Sequence, residues 1–440
     1  MTRLWRMLCC TLAIVAMLPA AARAIPPIQE ARLDNGLRVL LMEAHNVPMV
    51  VMRLTVPAGS RFDPPGHGGA AAMLAAMLSD HTRKHDDAAW ADWLDARAIR
   101  LNASADRDSL AIGATMLTEV LDDGVTALAE AALAPGWNRK RFATLKDDAL
   151  AAARKALESP DVRAAEKTLE LLYGHHPYGH RPDGSVKSLT RVTLADIQHL
   201  YDTQFRPRGA VLAVSGDVTM PELLARVRPL FAGWKGAPAQ ALREIAAPAT
   251  RPARTARIVM PTRQVTAQMS RLGPSRYDRD FFADMLLNHL LGGGGFSSAL
   301  MNEVREKRGL VYGVYSYFVP LAAPGPFVIS LKTRANQADE ALAVVRRVMQ
   351  RMAAGRIPAR ALKAAQDNLA GGFAHRLDSN AKRVGLMSMI GFYDLPLNYL
   401  EHWQANIRRV TLADVRAAAK RFLDAGAWNL VLAGPANGGE

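Results

Sequence analysis

Arg191-Val-Thr-Leu-Ala-Asp-Ile197 recurs 218 residues later as Arg409-Val-Thr-Leu-Ala-Asp-Val415. In each copy a threonine stands where a helix would begin, Thr193 and Thr411, and an aspartate occupies the third helical position, Asp196 and Asp414. A threonine cap with an acid in the first turn satisfies the free N–H groups of a helix start, so the heptapeptide predicts one helix beginning used twice. Each predicted helix leads to a short β-like run, Ala210–Ser215 followed by Gly-Asp and Trp428–Ala433 followed by Gly-Pro. A fainter echo pairs Ser60-Arg-Phe-Asp63 with Ser275-Arg-Tyr-Asp278, 215 residues apart. Two ordered echoes at nearly one offset predict a duplicated unit. Residues 236–254 contain three prolines and no periodicity, and read as the linker between the copies. The boundary is placed near Ala246, giving units 25–246 and 247–440.

Within the first copy, Leu37–Met42 and Val50–Val56 read as strands around a turn at Asn46-Val-Pro48. Gly69–Leu78 and Asp87–Ala98 read as helices, Ser109–Met116 as a strand, and Arg139–Leu157 as a long helix stopped by Ser159-Pro160. Strands with separately grouped helices predict an α+β layer, not a doubly wound parallel sheet.

The chain has 440 residues, half of them hydrophobic and 22% charged, which places it among globular proteins of more than one domain. Its N-terminus has the form of an export signal, residues 1–24. Arg3 and Arg6 precede an apolar run from Met7 to Leu18, and Ala22-Arg23-Ala24 supplies a cleavage site. Cleavage leaves 416 residues with a net charge of +11, because residues 1–24 carry three of the arginines and no acid. It also removes Cys9 and Cys10, the only cysteines, which excludes a disulfide framework and a cysteine-based zinc site. No later apolar run is long enough to span a bilayer. The remaining positive charge is scattered arginine without interleaved aromatics, so no nucleic-acid partner is expected. The expected location is a bacterial periplasm.

Leu33-Asp-Asn-Gly-Leu-Arg-Val-Leu-Leu41, Ala58-Gly-Ser-Arg-Phe-Asp63 and the Gly-rich approach to an Ala/Leu/Met helix resemble the pitrilysin/insulinase family of zinc metallopeptidases. So do His176-Pro-Tyr-Gly179, Val214-Ser-Gly-Asp-Val218, Leu291-Gly-Gly-Gly-Gly-Phe-Ser297 and Arg305-Glu-Lys-Arg-Gly-Leu-Val-Tyr312. The motifs run in the family's order from about Ile28 to the C-terminus. The resemblance implies two homologous α/β sandwich domains, each a mixed or antiparallel sheet with helices on one face, that together form half of a clamshell. It also implies a His-x-x-Glu-His helix for zinc and a downstream glutamate ligand. At the matching positions this chain has Ala72, Ala75 and Ala76, with the downstream ligand falling on or next to Ala152. Alanine offers no lone pair to a metal and no proton to exchange, so no metal or other cofactor is expected in this chain. The His81/His85 pair lacks a third ligand at a recognised spacing, and the cluster His175, His176 and His180 matches a loop segment that in the resembled family is not a zinc ligand set, so both read as surface histidines.

The second half retains what the family resemblance assigns to substrate. Ser298–Lys307 reads as a helix and Leu310–Val319 as a strand, with Arg305 and Tyr312 seven residues apart. The resemblance implies that such a pair reaches the peptide held at the zinc, where both can donate hydrogen bonds to its carbonyl. Arg308 competes for the arginine role. Gly292, Gly293, Gly294 and Gly295 have two readings: close approach of a peptide to backbone, or a helix C-cap after Phe281–Leu291. The resemblance further implies peptides that add as a strand to a sheet edge. The expected function is therefore that of an exported, non-catalytic subunit of a heterodimeric peptidase. It would bind peptide and lend Arg305 and Tyr312 to a homologous partner that carries the zinc. The alternatives are a silent peptide-binding or assembly scaffold, and a self-sufficient peptidase with a rebuilt metal site.

Overall fold

The structure, a computed structural model, describes residues 26–436. The expected export signal lies outside the described residues. Strands β1 (Gln29–Arg32), β2 (Arg38–Glu43), β3 (Met49–Val56), β4 (Arg100–Ala105), β5 (Leu110–Leu117) and β6 (Val211–Gly216) form one sheet, in the order β1-β2-β6-β3-β5-β4. Strands β7 (Thr255–Val259), β8 (Gln264–Leu272), β9 (Val314–Phe318), β10 (Pro326–Arg334) and β11 (Asn429–Gly434) form the other, in the order β7-β11-β8-β10-β9. Leaving out β1, the two sheets are one pattern used twice. In each, the first and fifth strands of the copy pair in parallel, β2 with β6 and β7 with β11, and every other pairing is antiparallel.

The repeated heptapeptide folds identically in both copies. Thr193 Oγ1 accepts the Asp196 N–H at 3.2 Å and Asp196 Oδ2 accepts the Thr193 N–H at 2.8 Å. Thr411 and Asp414 reproduce both distances, 3.2 and 2.8 Å. These reciprocal caps start the helices Leu194–Gln204 and Leu412–Phe422, which deliver the chain into β6 and β11.

Each sheet carries its own helices on one face. In the first copy Ala70–Asp80, Leu121–Leu133 and Leu194–Gln204 pack over the inward side chains Val39, Leu41, Met52, Leu54, Ile112 and Leu212. The opposite faces are covered reciprocally. Helix Pro160–Tyr173, encoded in the first half, lies on β8 and β11 of the second sheet. Helix Asn380–Phe392, encoded in the second half, lies on β3 and β6 of the first. Thr168 Oγ1 bonds Gln268 Oε1 at 3.0 Å on one side, and Ser215 Oγ faces Asn380 Oδ1 at 3.3 Å on the other. The apolar payload is similar on both, Ala164 and Leu171 against Val431 and Ala433, and Val384, Met387 and Ile390 against Leu40 and Val211. Exchange of equivalent helices makes each half complete the core of the other.

A buried polar hub ties the halves together. Asp108, in the β4–β5 turn, has a fully buried side chain. It accepts the hydroxyls of Tyr178 at 2.5 Å and Tyr393 at 3.0 Å, and the Ala322 N–H at 2.8 Å. Arg61 Nη1 lies 3.5 Å from Asp108 Oδ1 and also donates to the Leu242 carbonyl at 2.8 Å. The chain between helix Met220–Phe231 and β7, which contains no helix or strand, is pinned here, since His176 Nε2 also donates to the Ala246 carbonyl at 3.0 Å. The His-Pro-Tyr-Gly segment is thus a latch: its histidine holds the connection and its tyrosine reaches the hub. Among the described residues no helix is long and apolar enough to cross a membrane.

Candidate functional site

Helix Ala70–Asp80 begins where Asp63 accepts the Gly69 and Ala71 N–H groups, both at 2.7 Å. Burial pushes the Asp63 carboxyl above its ordinary range, and His180 beside it, 3.1 Å away, pulls the other way. The helix packs against β4 and β5 and against the long helix Arg139–Ala156. Ala75 is buried in the core, Ala72 and Ala76 are half-buried on the next face, and Ala152 is exposed on the long helix. Polar groups near the end of this helix are already engaged. Asp80 is held by Arg141 Nε at 2.9 Å and by His81 Nδ1 at 2.9 Å. His81 Nε2 accepts the Asn138 N–H at 3.3 Å, so this histidine carries its proton on Nδ1 and is spent structurally. His85 stacks on Trp90 with centroids 5.7 Å apart. His176 Nδ1 accepts the Tyr178 N–H at 3.1 Å, and burial lowers its basicity. Among the described residues no group of three or more His, Cys, Asp or Glu is placed to hold a metal ion. The residues at this helix do not fit zinc.

The second copy puts a different chemistry at the equivalent place. Helix Phe281–Asn288 continues into a wide π turn, His289–Gly293, then a short 3-10 turn, Gly295–Ser297, and a second π segment, Met301–Glu306. Wide turns of this kind often sit at functional sites. Gly292 lies against the backbone of β9, where a Cβ would come within 2.6 Å of the Ser316 nitrogen. Gly293 and Gly294 are likewise closed in, by Asn288 and His289. Gly295, at φ +60°, faces open space. A side chain at any of the first three glycines would collide with its neighbours, whereas at Gly295 the obstacle is the positive φ and not space.

Arg305 and Tyr312 come together. The Arg305 guanidinium carbon is 4.8 Å from the Phe296 ring centroid and 5.5 Å from that of Tyr312, so the cation is clasped by two aromatic faces. Its nearest carboxylate is Glu306, at 3.5 Å. Tyr312 is 85% exposed and Phe296 is 69% exposed, unusual for large rings. The predicted strand is shorter than expected. It starts at Val314, because Leu310 and Val311 are buried and Leu310 N–H bonds back to the Val304 carbonyl at 3.1 Å. Tyr312 therefore stands in a loop and projects freely. Arg308 does not compete. It donates to the carbonyl of Glu303 at 2.6 Å and to its carboxylate at 2.9 Å. Lys307, then Arg308 and Arg351, hold the Glu303 carboxyl down at about 2. Glu303 thus fixes the segment that carries Arg305, a role invisible in the sequence. Phe296 was legible only as the residue after four glycines.

The helix feeding this segment carries a pH-dependent element. Asp284 is fully buried; burial, opposed by Arg421, pushes its carboxyl up to about 6. Its raised value means the folded state is favoured by the protonated acid below about pH 4, and that contribution fades as pH climbs through about 6. Asp284→Asn should remove a dependence worth roughly 3 kcal/mol across this window. Parallel urea titrations at pH 4 and 7 check it, the wild-type protein losing stability relative to the variant.

Comparisons with known proteins identify the family and the fold. The family described as "Insulinase (Peptidase family M16)" matches residues 38–180, and "Peptidase M16 inactive domain" matches residues 191–369. A crystal structure of a peptidase M16 inactive domain from Pseudomonas fluorescens superimposes with a TM-score of 0.88 at 33% identity, covering 94% of this chain and 99% of that one. An uncharacterized zinc protease of Mycobacterium tuberculosis is 28% identical, with 92% of each chain covered. A Helicobacter pylori protein named non-peptidase homolog YmxG is 22% identical, over 90% of this chain and 91% of its own. Near-complete coverage at these identities, on a duplicated fold with the family's motifs in order, has one reading: the chain belongs to peptidase family M16, the insulinase family.

Proposed function

We propose that this chain is the exported, non-catalytic subunit of a two-chain peptidase, working in the periplasm beside a homologous partner that carries zinc. One observation carries the reading: Arg305 is held between Phe296 and Tyr312 with only Glu306, 3.5 Å away, as a carboxylate neighbour, and alanines stand where the family resemblance puts the metal ligands. The Arg305 side chain is half-buried and Tyr312 is exposed, and neither donates a hydrogen bond to another part of the described chain. They suit a peptide carbonyl brought to them from outside. The chain's own contribution is to grip and orient peptide. β4, an edge strand, offers backbone pairing, and the Arg305–Tyr312 pair offers two donors. The purified chain is expected to bind no stoichiometric zinc and to cleave no peptide, and cleavage is expected on mixing with the partner recovered from periplasmic extract. Elemental analysis of both fractions and a peptide-cleavage assay check this. Zinc seated in the isolated chain would overturn it. A second reading, a peptide-holding or assembly scaffold without hydrolysis, is favoured by the name of the Helicobacter pylori relative. Recovery of a partner lacking a His-x-x-Glu-His helix would support that reading instead.

A further inference from the structure

The open face of the first sheet holds a notch that nothing above uses. Helix Asn380–Phe392 covers β3 and β6 on this face and stops short of β5 and β4. The uncovered corner is a cavity of about 280 Å³ walled by Arg53 on β3, Arg100 and Asn102 on β4, and Ala381 and Gly385 on the helix. Its floor is Gly113 of β5, which pairs with Arg53 on one side and with Asn102 on the other. A Cβ at Gly113 would lie 2.6 Å from Asn102 Oδ1, so the glycine is what keeps the floor open. One step along the strands, Arg100 pairs with Thr115, which pairs with Val51, so the two arginines stand diagonally across the glycine. Their backbones are roughly 12 Å apart, two strand spacings and two residues of rise, within the joint reach of two arginine side chains.

Neither guanidinium has a hydrogen-bond or ion-pair partner among the described residues, and no carboxylate lines the notch. Two unmatched cations lining one small cavity repel one another, and an anion between them relieves that repulsion. The notch adjoins β4, the edge strand of this sheet, and lies on the face opposite helix Ala70–Asp80. A peptide added to that edge would send alternate side chains to the two faces.

We propose that this notch binds the carboxylate side chains of an extended acidic peptide laid along β4, so that the chain selects peptides with Asp or Glu at alternate positions. The proposal rests on the peptide-holding reading given above and adds its substrate class. Charge-assisted pairs to a two-arginine site should favour an acidic peptide over its amide counterpart by about tenfold or more, and the advantage should shrink with salt.

The test uses the purified full chain and three fluorescent twelve-residue peptides of one backbone sequence, carrying Glu, Gln or Lys at alternate positions, with binding followed by anisotropy. The Glu peptide is expected to bind best and the Lys peptide worst. In R53Q/R100Q the Glu peptide should fall to the affinity of the Gln peptide, and in R53E/R100E the order should invert in favour of Lys. Circular dichroism confirms that each variant is folded. Equal binding of all three peptides to the wild-type chain would overturn this inference and leave the peptide-holding reading standing, as would a Glu preference unchanged in R53Q/R100Q. Failure of every peptide to bind would overturn both.

Discussion

Asp108→Ala is expected to lower stability by about 3–5 kcal/mol, the usual cost of removing one partner from a buried, charge-bearing network. The carboxylate serves both halves at once. Tyr178 and Arg61 reach it from the first half, and Tyr393 and the Ala322 N–H reach it from the second. Alanine would leave two buried hydroxyls, a buried N–H and a buried guanidinium with fewer acceptors, and each such orphan costs of order 1–3 kcal/mol. Some of that returns through rearrangement, since Arg61 keeps the carbonyls of Ala241 and Leu242. Asp108→Asn is the informative comparison. It retains one acceptor oxygen but places an amide donor among donors, so it should lose a smaller part. Urea unfolding of the full chain reads the difference as a shift in midpoint at unchanged slope. A shift equivalent to less than about 1 kcal/mol for the alanine variant would mean that the exchanged helices, and not the hub, join the halves.

Much of this architecture could be read from residues alone, for specific reasons. Repeated capping is a local device, so Thr193/Asp196 and Thr411/Asp414 announced two equivalent helices wherever the chain later placed them. Strands β2, β3 and β5 were legible because apolar runs bounded by turn residues have few other uses. Strand β4, Arg100-Leu-Asn-Ala-Ser-Ala105, was not, because an edge strand needs only weak alternation and half of it faces solvent. The exchange of Pro160–Tyr173 and Asn380–Phe392 was not legible either. An amphipathic helix states that it has an apolar face, never which sheet will bury it. The site divides in the same way. Assigning Ala72, Ala75 and Ala76, and a position on or next to Ala152, to the ligand places is a matter of register against the family motif and uses no geometry. The clasp of Phe296 around Arg305, and the capture of Arg308 by Glu303, depend on two π turns that no spacing rule anticipates.

That clasp sets the second large effect. In the two-chain peptidase proposed above, Arg305→Ala is expected to reduce turnover by about 10²–10³-fold, the scale on which loss of one donor to a developing oxyanion is felt. Arg305→Lys should rescue little. An ammonium cannot lie flat between two rings, and it presents no planar fork to a carbonyl. Tyr312→Phe separates the two roles of the tyrosine. The ring that faces the guanidinium at 5.5 Å is retained and only the hydroxyl is lost, so any fall in rate belongs to that hydroxyl. Tyr312→Leu removes both, and the further fall beyond Phe measures what the clasp contributes to holding Arg305 in place. Assembly should survive all four changes, because Tyr312 is exposed and Arg305 bonds to no element of the core. Co-elution with the zinc-bearing partner provides that control, and kcat measured at saturating peptide distinguishes lost chemistry from lost binding. Should Arg305→Ala and Tyr312→Phe both co-elute with the partner and turn over peptide at the wild-type rate, the pair has no part in the reaction. The rings around Arg305 would then be a folding feature of the glycine-rich turn, and the chain's service to its partner would lie along β4 alone.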